Sequence, residues 1–250
     1  PTILIAEDNS TNLLLTKTML LSIWPEATVL EAGNGKEAVD ITDQQQVDLI
    51  LMDVQMPGMD GLQATRAIRQ RETEEGNTGR LPIIALTAGV IKEEKDKCLK
   101  AGMNEFLAKP LNEQTLKEIL SVFLKPNSNT NQAIMKKTDH EALQHFNMKE
   151  LQERTELSRE ILLPMAEISM TTLYNYLQSL ASAIQEGNGT EIKRLDHTIK
   201  GLALNMSIAH MTSLAKAMEN QSSLNLQKVQ EIYEEMKQEH EIVKELVKKA

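Results

Sequence analysis

Two rhythms of apolar and polar residues divide the chain. Up to about Lys125, short apolar runs alternate with amphipathic segments five times over, as a doubly wound parallel sheet requires. Thr2-Ile3-Leu4-Ile5-Ala6, Val29-Leu30, Leu49 to Met52, Pro82-Ile83-Ile84-Ala85-Leu86 and Glu105-Phe106-Leu107-Ala108 read as strands. Helices are expected at about Ser10 to Ile23, Gly35 to Gln45, Gly61 to Arg71, Ile91 to Ala101 and Asn112 to Leu124. The polar run Pro126 to Gln132 then interrupts as a linker. Beyond about residue 140 there is no strand pattern and hardly a Gly or Pro. One long helical segment from about Ser158 to Glu186, containing Ile168, Thr171, Thr172, Asn175 and Tyr176, is closed by Gly187-Asn188-Gly189. Its neighbour carries Ile192, Leu195, Ile199, Leu202 and Met206, in steps of three and four that trace one buried stripe. Further helices at about Ala209 to Gln221 and Leu226 to Lys249 complete a bundle. The expected architecture is a five-stranded α/β domain over residues 1–126, a linker over 127–139 and an all-α four-helix bundle over 140–250.

The run Leu49 to Gly61, LILMDVQMPGMDG, places Asp53 where an apolar strand stops. Met56-Pro57-Gly58-Met59-Asp60-Gly61 cannot continue that strand, since Pro lacks a donor and the glycines permit turns. In open parallel sheets the carboxyl edge is where ligands collect. Alone, such an Asp commonly just caps the next turn. Three other strand-like runs, however, end in Glu7-Asp8, in Thr87 and in Lys109-Pro110. If the strands are parallel, three carboxylates, a hydroxyl and an ammonium meet at one point. Crowded carboxylates resist ionisation unless a cation sits among them. Mg²⁺, which joins carboxylates to phosphate oxygens and water, fits that set, so the pattern points to phosphoryl chemistry.

Residues 1 to about 126 resemble a two-component response-regulator receiver domain, through Glu7 and Asp8, Asp53 within DVQMPGMDG, Thr87 within IIALTA, and Lys109-Pro110 within FLAKP. The resemblance implies a flavodoxin-like fold with Asp53 as phosphoacceptor. It also implies that Asp8 binds Mg²⁺ directly, that Glu7 acts mainly through water, and that the backbone carbonyl of Gln55 is a further metal ligand. Thr87 would bind the phosphoryl group after a short movement and Lys109 would pair with it. Lys109-Pro110 is a candidate for the cis isomer. Glu7 stands where an Asp is also common. These roles agree with physical logic, because carboxylate attack on a phosphoryl donor needs positioning and charge neutralisation more than a proton shuttle.

On the second half, Lys193, His197, Lys200, Gly201 and Leu204 fall close together opposite the buried stripe, so His197 is expected to be exposed. The other four histidines, His140, His145, His210 and His240, read as solvated surface residues. Gly201, disfavoured within a helix, would let another protein approach the His197 ring. The string His197-Thr198-Ile199-Lys200-Gly201, followed by Ala203 and Asn205, resembles the HxxKG motif of histidine phosphotransfer domains. These are helical bundles whose histidine passes phosphate between receiver aspartates. The resemblance implies that His197 is phosphorylated and that Lys200 supports the phosphoryl group. The family often has Gly where Leu204 and Ser207 stand here. The neutral imidazole is the attacking form, and it predominates on an exposed histidine near pH 7. No carboxylate directly follows His197 and no Gly-rich ATP-binding box is present, so the chain reads as a relay that does not phosphorylate itself from ATP.

Composition mostly excludes. A formal charge of -9 and 3% aromatic residues argue against nucleic-acid binding. The single cysteine, Cys98, forbids an internal disulfide, suits a reducing cytosol and is expected to pack in the fourth helix. No apolar run reaches membrane-spanning length and no signal peptide opens the chain. The start at Pro1, without Met, suggests an excised piece, such as the carboxyl end of a hybrid sensor histidine kinase with membrane segments upstream. The leading expectation is a cytoplasmic phosphorelay: Asp53 accepts phosphate from a histidine kinase, separate or on the same polypeptide, and His197 relays it to or from the receiver of a downstream regulator. A linker of about 15 residues spans roughly 20 Å, which permits transfer within one chain as well as between chains. Two other readings are a bundle that only docks or dimerises, against which the HxxKG spacing counts, and an Asp-based Mg²⁺-dependent phosphohydrolase. The latter commonly needs a second carboxylate two residues after the nucleophile, where Gln55 stands. Leu204 shares the reactive face, so Leu204→Asp is expected to slow phosphotransfer with receivers; unchanged transfer rates would remove Leu204 from the docking surface.

Overall fold

The structure, a computed structural model, describes residues 1–76, 80–88, 92–124, 145–219 and 226–250, with backbone alone at 92 and 93. Five strands, β1 (Thr2–Ala6), β2 (Thr28–Ala32), β3 (Leu49–Asp53), β4 (Ile83–Thr87) and β5 (Glu105–Ala108), pair in parallel in the order β2-β1-β3-β4-β5. Helices α1 (Ser10–Ile23), α2 (Gly35–Gln44), α3 (Gly61–Glu74), α4 (Lys92–Ala101) and α5 (Glu113–Phe123) connect and follow them. Ile91, expected to open α4, and the expected linker over 127–139 lie outside the described residues. The central strands β3 and β4 are buried at every position, which explains their unbroken apolar runs: helices cover both faces of the sheet. Side chains with carbonyl or carboxylate oxygens fix where helices begin. Asn9 accepts from the amides of Thr11 and Asn12, and Asp60 forms a capping box with Gln63.

The second half is helical: α6 (Met148–Thr155), α7 (Arg159–Gln185), α8 (Gly189–Asn205), α9 (Ala209–Glu219) and α10 (Leu226–Lys249). The short α6 was not expected. Its eight residues carry too few apolar positions to show a period, and only Leu151 and Thr155 are buried. The stripe Ile192, Leu195, Ile199, Leu202 and Met206 is buried as expected. On α7 the buried face instead runs through Leu162, Met165, Ala166, Ser169, Met170, Leu173, Leu177 and Leu180, and Ile168 is exposed. The turn from α8 to α9 holds Ser207 at φ 53°, a left-handed conformation that glycine adopts without its Cβ penalty. This gives a physical reason why related bundles often have Gly there.

Sheet packing splits by face. Leu4, Ala6, Ile50, Met52, Ile83, Ala85 and Cys98 form one apolar cluster, with Cys98 buried as expected. On the other face Ile3, Ile5, Leu15, Met19, Leu49, Leu51, Ile84 and Leu116 form a cluster that continues into the bundle residues Leu151, Leu162, Leu173, Leu195 and Leu202. Helix α1 packs on α7 and α8, so the two halves share one apolar seam. Among the described residues no helix is long and apolar enough to cross a membrane.

Gly61 opens α3 directly behind Asp53. A Cβ there would stand 2.0 Å from the Asp53 carbonyl oxygen, a distance that real atoms do not adopt, so Gly61→Ala must push α3 off β3. We expect a loss of roughly 1–3 kcal/mol, the usual cost of overpacking, measured as a lower urea midpoint with the slope retained.

Candidate functional site

The parallel register brings the strand ends to one edge. Asp53 at the end of β3 stands beside Leu86, and Thr87 at the end of β4 stands beside Ala108, one residue before Lys109. Glu7 and Asp8 follow β1. The carboxylates of Glu7, Asp8 and Asp53 offer oxygens within 4.8 Å of one another. The ammonium of Lys109 is buried between two of them, 2.6 Å from Glu7 Oε2 and 2.8 Å from Asp53 Oδ2. The Lys109-Pro110 peptide is cis.

Electrostatics follow from this crowding. Burial pushes Glu7 up to about 8, opposed by Lys109 and reinforced by Asp53. Burial likewise raises Asp8 to about 6, with Asp53 adding to it. For Lys109, burial favours the neutral amine, but Asp53 and Glu7 outweigh it and hold the group charged. Three carboxylates against one ammonium leave surplus negative charge in an all-oxygen donor set, which is the chemistry a hard divalent cation satisfies. The backbone amide of Gln55 donates to Asp53 Oδ1 at 3.2 Å. Thr87 is buried, and its hydroxyl donates to Glu94 at 3.1 Å.

Helix α8 covers this edge. His197, Thr198 and Gly201 line a cavity of about 10 Å³ together with Glu7, Asp8, Asn12, Asp53, Gln55 and Lys109. A wider cleft of about 360 Å³ beside it is lined by Asp8, Gln55, Pro57, Lys97, Arg194 and His197, among others. His197 is therefore not exposed as the helical wheel suggested: the sheet edge of the same chain half-buries it. Burial pushes its imidazole down to about 4, against the pull of Asp53, so the ring is neutral at physiological pH. Gly201 faces Asn12 of α1, and a Cβ there would stand 3.7 Å from the Asn12 side chain, an ordinary van der Waals contact, so this packing does not itself demand a glycine. Lys200 is buried and bonds Glu219 of α9 at 2.6 Å, away from the residues lining the cavity. Leu204 is half-buried.

Residues 3–121 match the model of the response regulator receiver domain, and residues 164–246 match that of the Hpt domain. The chain carries a receiver domain followed by an Hpt domain. It is 46% identical over 120 residues to the sensor protein GacS of Pseudomonas syringae pv. syringae, which covers 48% of this chain and 13% of that protein. It is 28% identical over 228 residues to the signal transduction histidine-protein kinase BarA of Shigella flexneri, covering 88% of this chain and 24% of that protein. The chain thus spans about an eighth to a quarter of the length of these curated relatives. Among solved structures, the receiver domain of a sensor histidine kinase from Pseudomonas aeruginosa PAO1, with a magnesium ion in its active-site cleft, is 40% identical, with a TM-score of 0.44 over 49% of this chain and 96% of that one.

Sequence reasoning missed what fastens the Hpt domain to the receiver. Arg154 of α6 donates to the carbonyl of Leu111, just beyond the receiver's Lys109-Pro110, and at 2.5 Å to the carbonyl of Asn205 in α8. Burial lowers the Arg154 guanidinium to about 10. No local signal in LQERTEL marks it, because both partners are backbone oxygens far away in sequence. Arg154→Ala should loosen the two domains: small-angle scattering is expected to give a larger radius of gyration, with the helix content kept. An unchanged radius would show that the apolar seam suffices.

Proposed function

We propose that this chain is a phosphorelay module in which Asp53 accepts a phosphoryl group and His197 exchanges it, within the chain or with another receiver. The observation that carries this reading is that Asp53, Lys109 and His197, from two domains, line one cavity. Receiver and Hpt domains occurring together in one chain support phosphorelay signalling. We assign the receiver to 1–126, the linker to 127–139 and the Hpt domain to 140–250. Packing of α6 on α7 supports a domain that begins before the matched span.

In the transfer, the neutral His197 ring attacks phosphorus with one nitrogen. The bond from phosphorus to the Asp53 oxygen breaks and its electron pair returns to the carboxylate. The proton on the other ring nitrogen stays on the phosphoimidazole or leaves to solvent. No general base is needed, because the imidazole is already neutral. Lys109 stands 2.8 Å from the Asp53 oxygen and neutralises charge there. Thr87 would turn its hydroxyl from Glu94 toward the phosphoryl oxygens, and Lys200 supports the Hpt side electrostatically from its pair with Glu219. Glu7, Asp8, Asp53 and the Gln55 carbonyl would hold Mg²⁺, whose charge offsets that of the phosphoryl oxygens. Upstream we place a histidine kinase, on the same polypeptide or separate, and downstream the receiver of a response regulator, all on the cytoplasmic side.

The test is a labelling experiment with a small phosphodonor and Mg²⁺. The wild type should acquire a base-labile label, lost in Asp53→Asn, and an acid-labile label, lost in His197→Gln. In Asp53→Asn the acid-labile label from the same donor should fall at least roughly tenfold, because the covalent intermediate that carries phosphate to His197 can no longer form. Equal acid-labile labelling of Asp53→Asn would sink passage through Asp53. A transfer rate independent of protein concentration identifies transfer within one chain, and one that rises with concentration identifies transfer between chains.

A further inference from the structure

The four other histidines were expected to be solvated, yet in the structure two of them converge on a buried acid; His140 lies outside the described residues. His240 is buried on α10, with Nε2 on the Met170 carbonyl at 3.0 Å. His145, just before α6, and His210, in the first turn of α9, both aim Nδ1 at Glu239 Oε2 of α10, at 2.6 and 2.8 Å. Their rings meet edge to face with centroids 5.7 Å apart. The Glu239 side chain is 0% exposed, and its other oxygen, Oε1, has no hydrogen-bond partner among the described residues.

Burying a carboxylate with one oxygen unpartnered is costly, and two imidazoles donating to the same oxygen leave that cost standing. A divalent cation removes it. The three ligand atoms lie within 4.8 Å of one another. Around Zn²⁺, bonds of about 2.0–2.2 Å would set neighbouring ligand atoms about 3.3–3.6 Å apart, so the two imidazoles, both at the partly exposed edge of the cluster, would move outward by roughly 0.5–1 Å. Both imidazole side chains are partly exposed, 42% and 30%, so an ion can enter from solvent and keep water as a further ligand. Two imidazoles and one carboxylate suit borderline transition-metal ions far better than Mg²⁺ or Ca²⁺.

The geometry points to a Zn²⁺-class metal site formed by His145, His210 and Glu239, none of which lines the Asp53–His197 cavity. The ion would tie the segment that leads into the Hpt domain to α9 and α10. This site does not depend on the relay reading, and its test reads metal directly.

The full chain is titrated with Zn²⁺ by calorimetry and with Co²⁺ by visible absorption, in excess Mg²⁺ so that the receiver's acidic edge does not compete. A single equivalent should bind, with d–d bands of low-coordinate Co²⁺ and a raised melting temperature. His145→Ala and His210→Ala, each partly exposed and each checked for native helix content, should weaken binding by at least roughly tenfold and abolish the bands. Glu239→Gln should do the same if it folds. Absence of stoichiometric uptake, or uptake unchanged in both histidine variants, overturns the site.

Discussion

The site rests on one buried cation. Lys109 stands between Glu7 and Asp53 with its ammonium almost wholly out of solvent. Taken out of water, a charge persists only if its surroundings replace hydration, and here two carboxylates do so. Each group would be intolerable there without the others: an unpaired lysine would lose its proton, and unpaired carboxylates would gain one. Glu7 is shifted upward first by burial and then by Asp53 and Asp8, and Lys109 does not fully offset them. That imbalance makes the edge receptive to a divalent ion and to chemistry that changes the charge on Asp53.

Everything around the triad serves to hold it. Parallel pairing sets the ends of β1, β3, β4 and β5 side by side, and Gly61 lets α3 come down against the Asp53 carbonyl. Asn9 turns the chain into α1, whose Asn12 donates to Glu7 at 3.1 Å and also faces Gly201 of the Hpt domain. One helix therefore supports the acidic edge from within and presents it to α8.

The receiver's strands and helices, and the residues that meet at its sheet edge, were legible because each signal was local and repeated: an apolar run, then a polar group, four times in one order. Glu7, Asp8, Asp53 and Lys109 come together as their strand ends implied, and the cis Lys109-Pro110 peptide is present. Helices α7 to α10 were legible by period, down to the bounds of α10, whereas the short α6 was not. What the sequence could not show was which face each helix would cover. His197 was placed opposite the buried stripe, which is correct, but that face is occupied by the receiver. Lys200 sits on the same turn and nevertheless pairs with Glu219, which only the packing of α9 on α8 reveals. Arg154, and the cluster of His145, His210 and Glu239, depend on segments tens of residues apart, and no spacing rule reaches across that distance.

The tightness of the docked arrangement decides how it can work. Between Asp53 and His197 the cavity of about 10 Å³ is about one water molecule's worth of space. A phosphoryl group is larger than that, and the Lys109 ammonium already occupies hydrogen-bonding distance from Asp53. The docked arrangement thus holds His197 largely out of water, with its ring neutral. On the proposed reading, loading Asp53 would widen the gap, by shifting Lys109 or by easing α8 away from the sheet edge. The fastening allows such easing, because Arg154 holds two backbone carbonyls by hydrogen bonds and, among the described residues, forms no ion pair. Hydrogen bonds of this kind are worth roughly 1.5–3 kcal/mol net, small beside the continuous apolar seam of α1 with α7 and α8. On the proposed relay reading, the seam would keep the two domains together while the reactive edge opens to pass phosphate inward or outward.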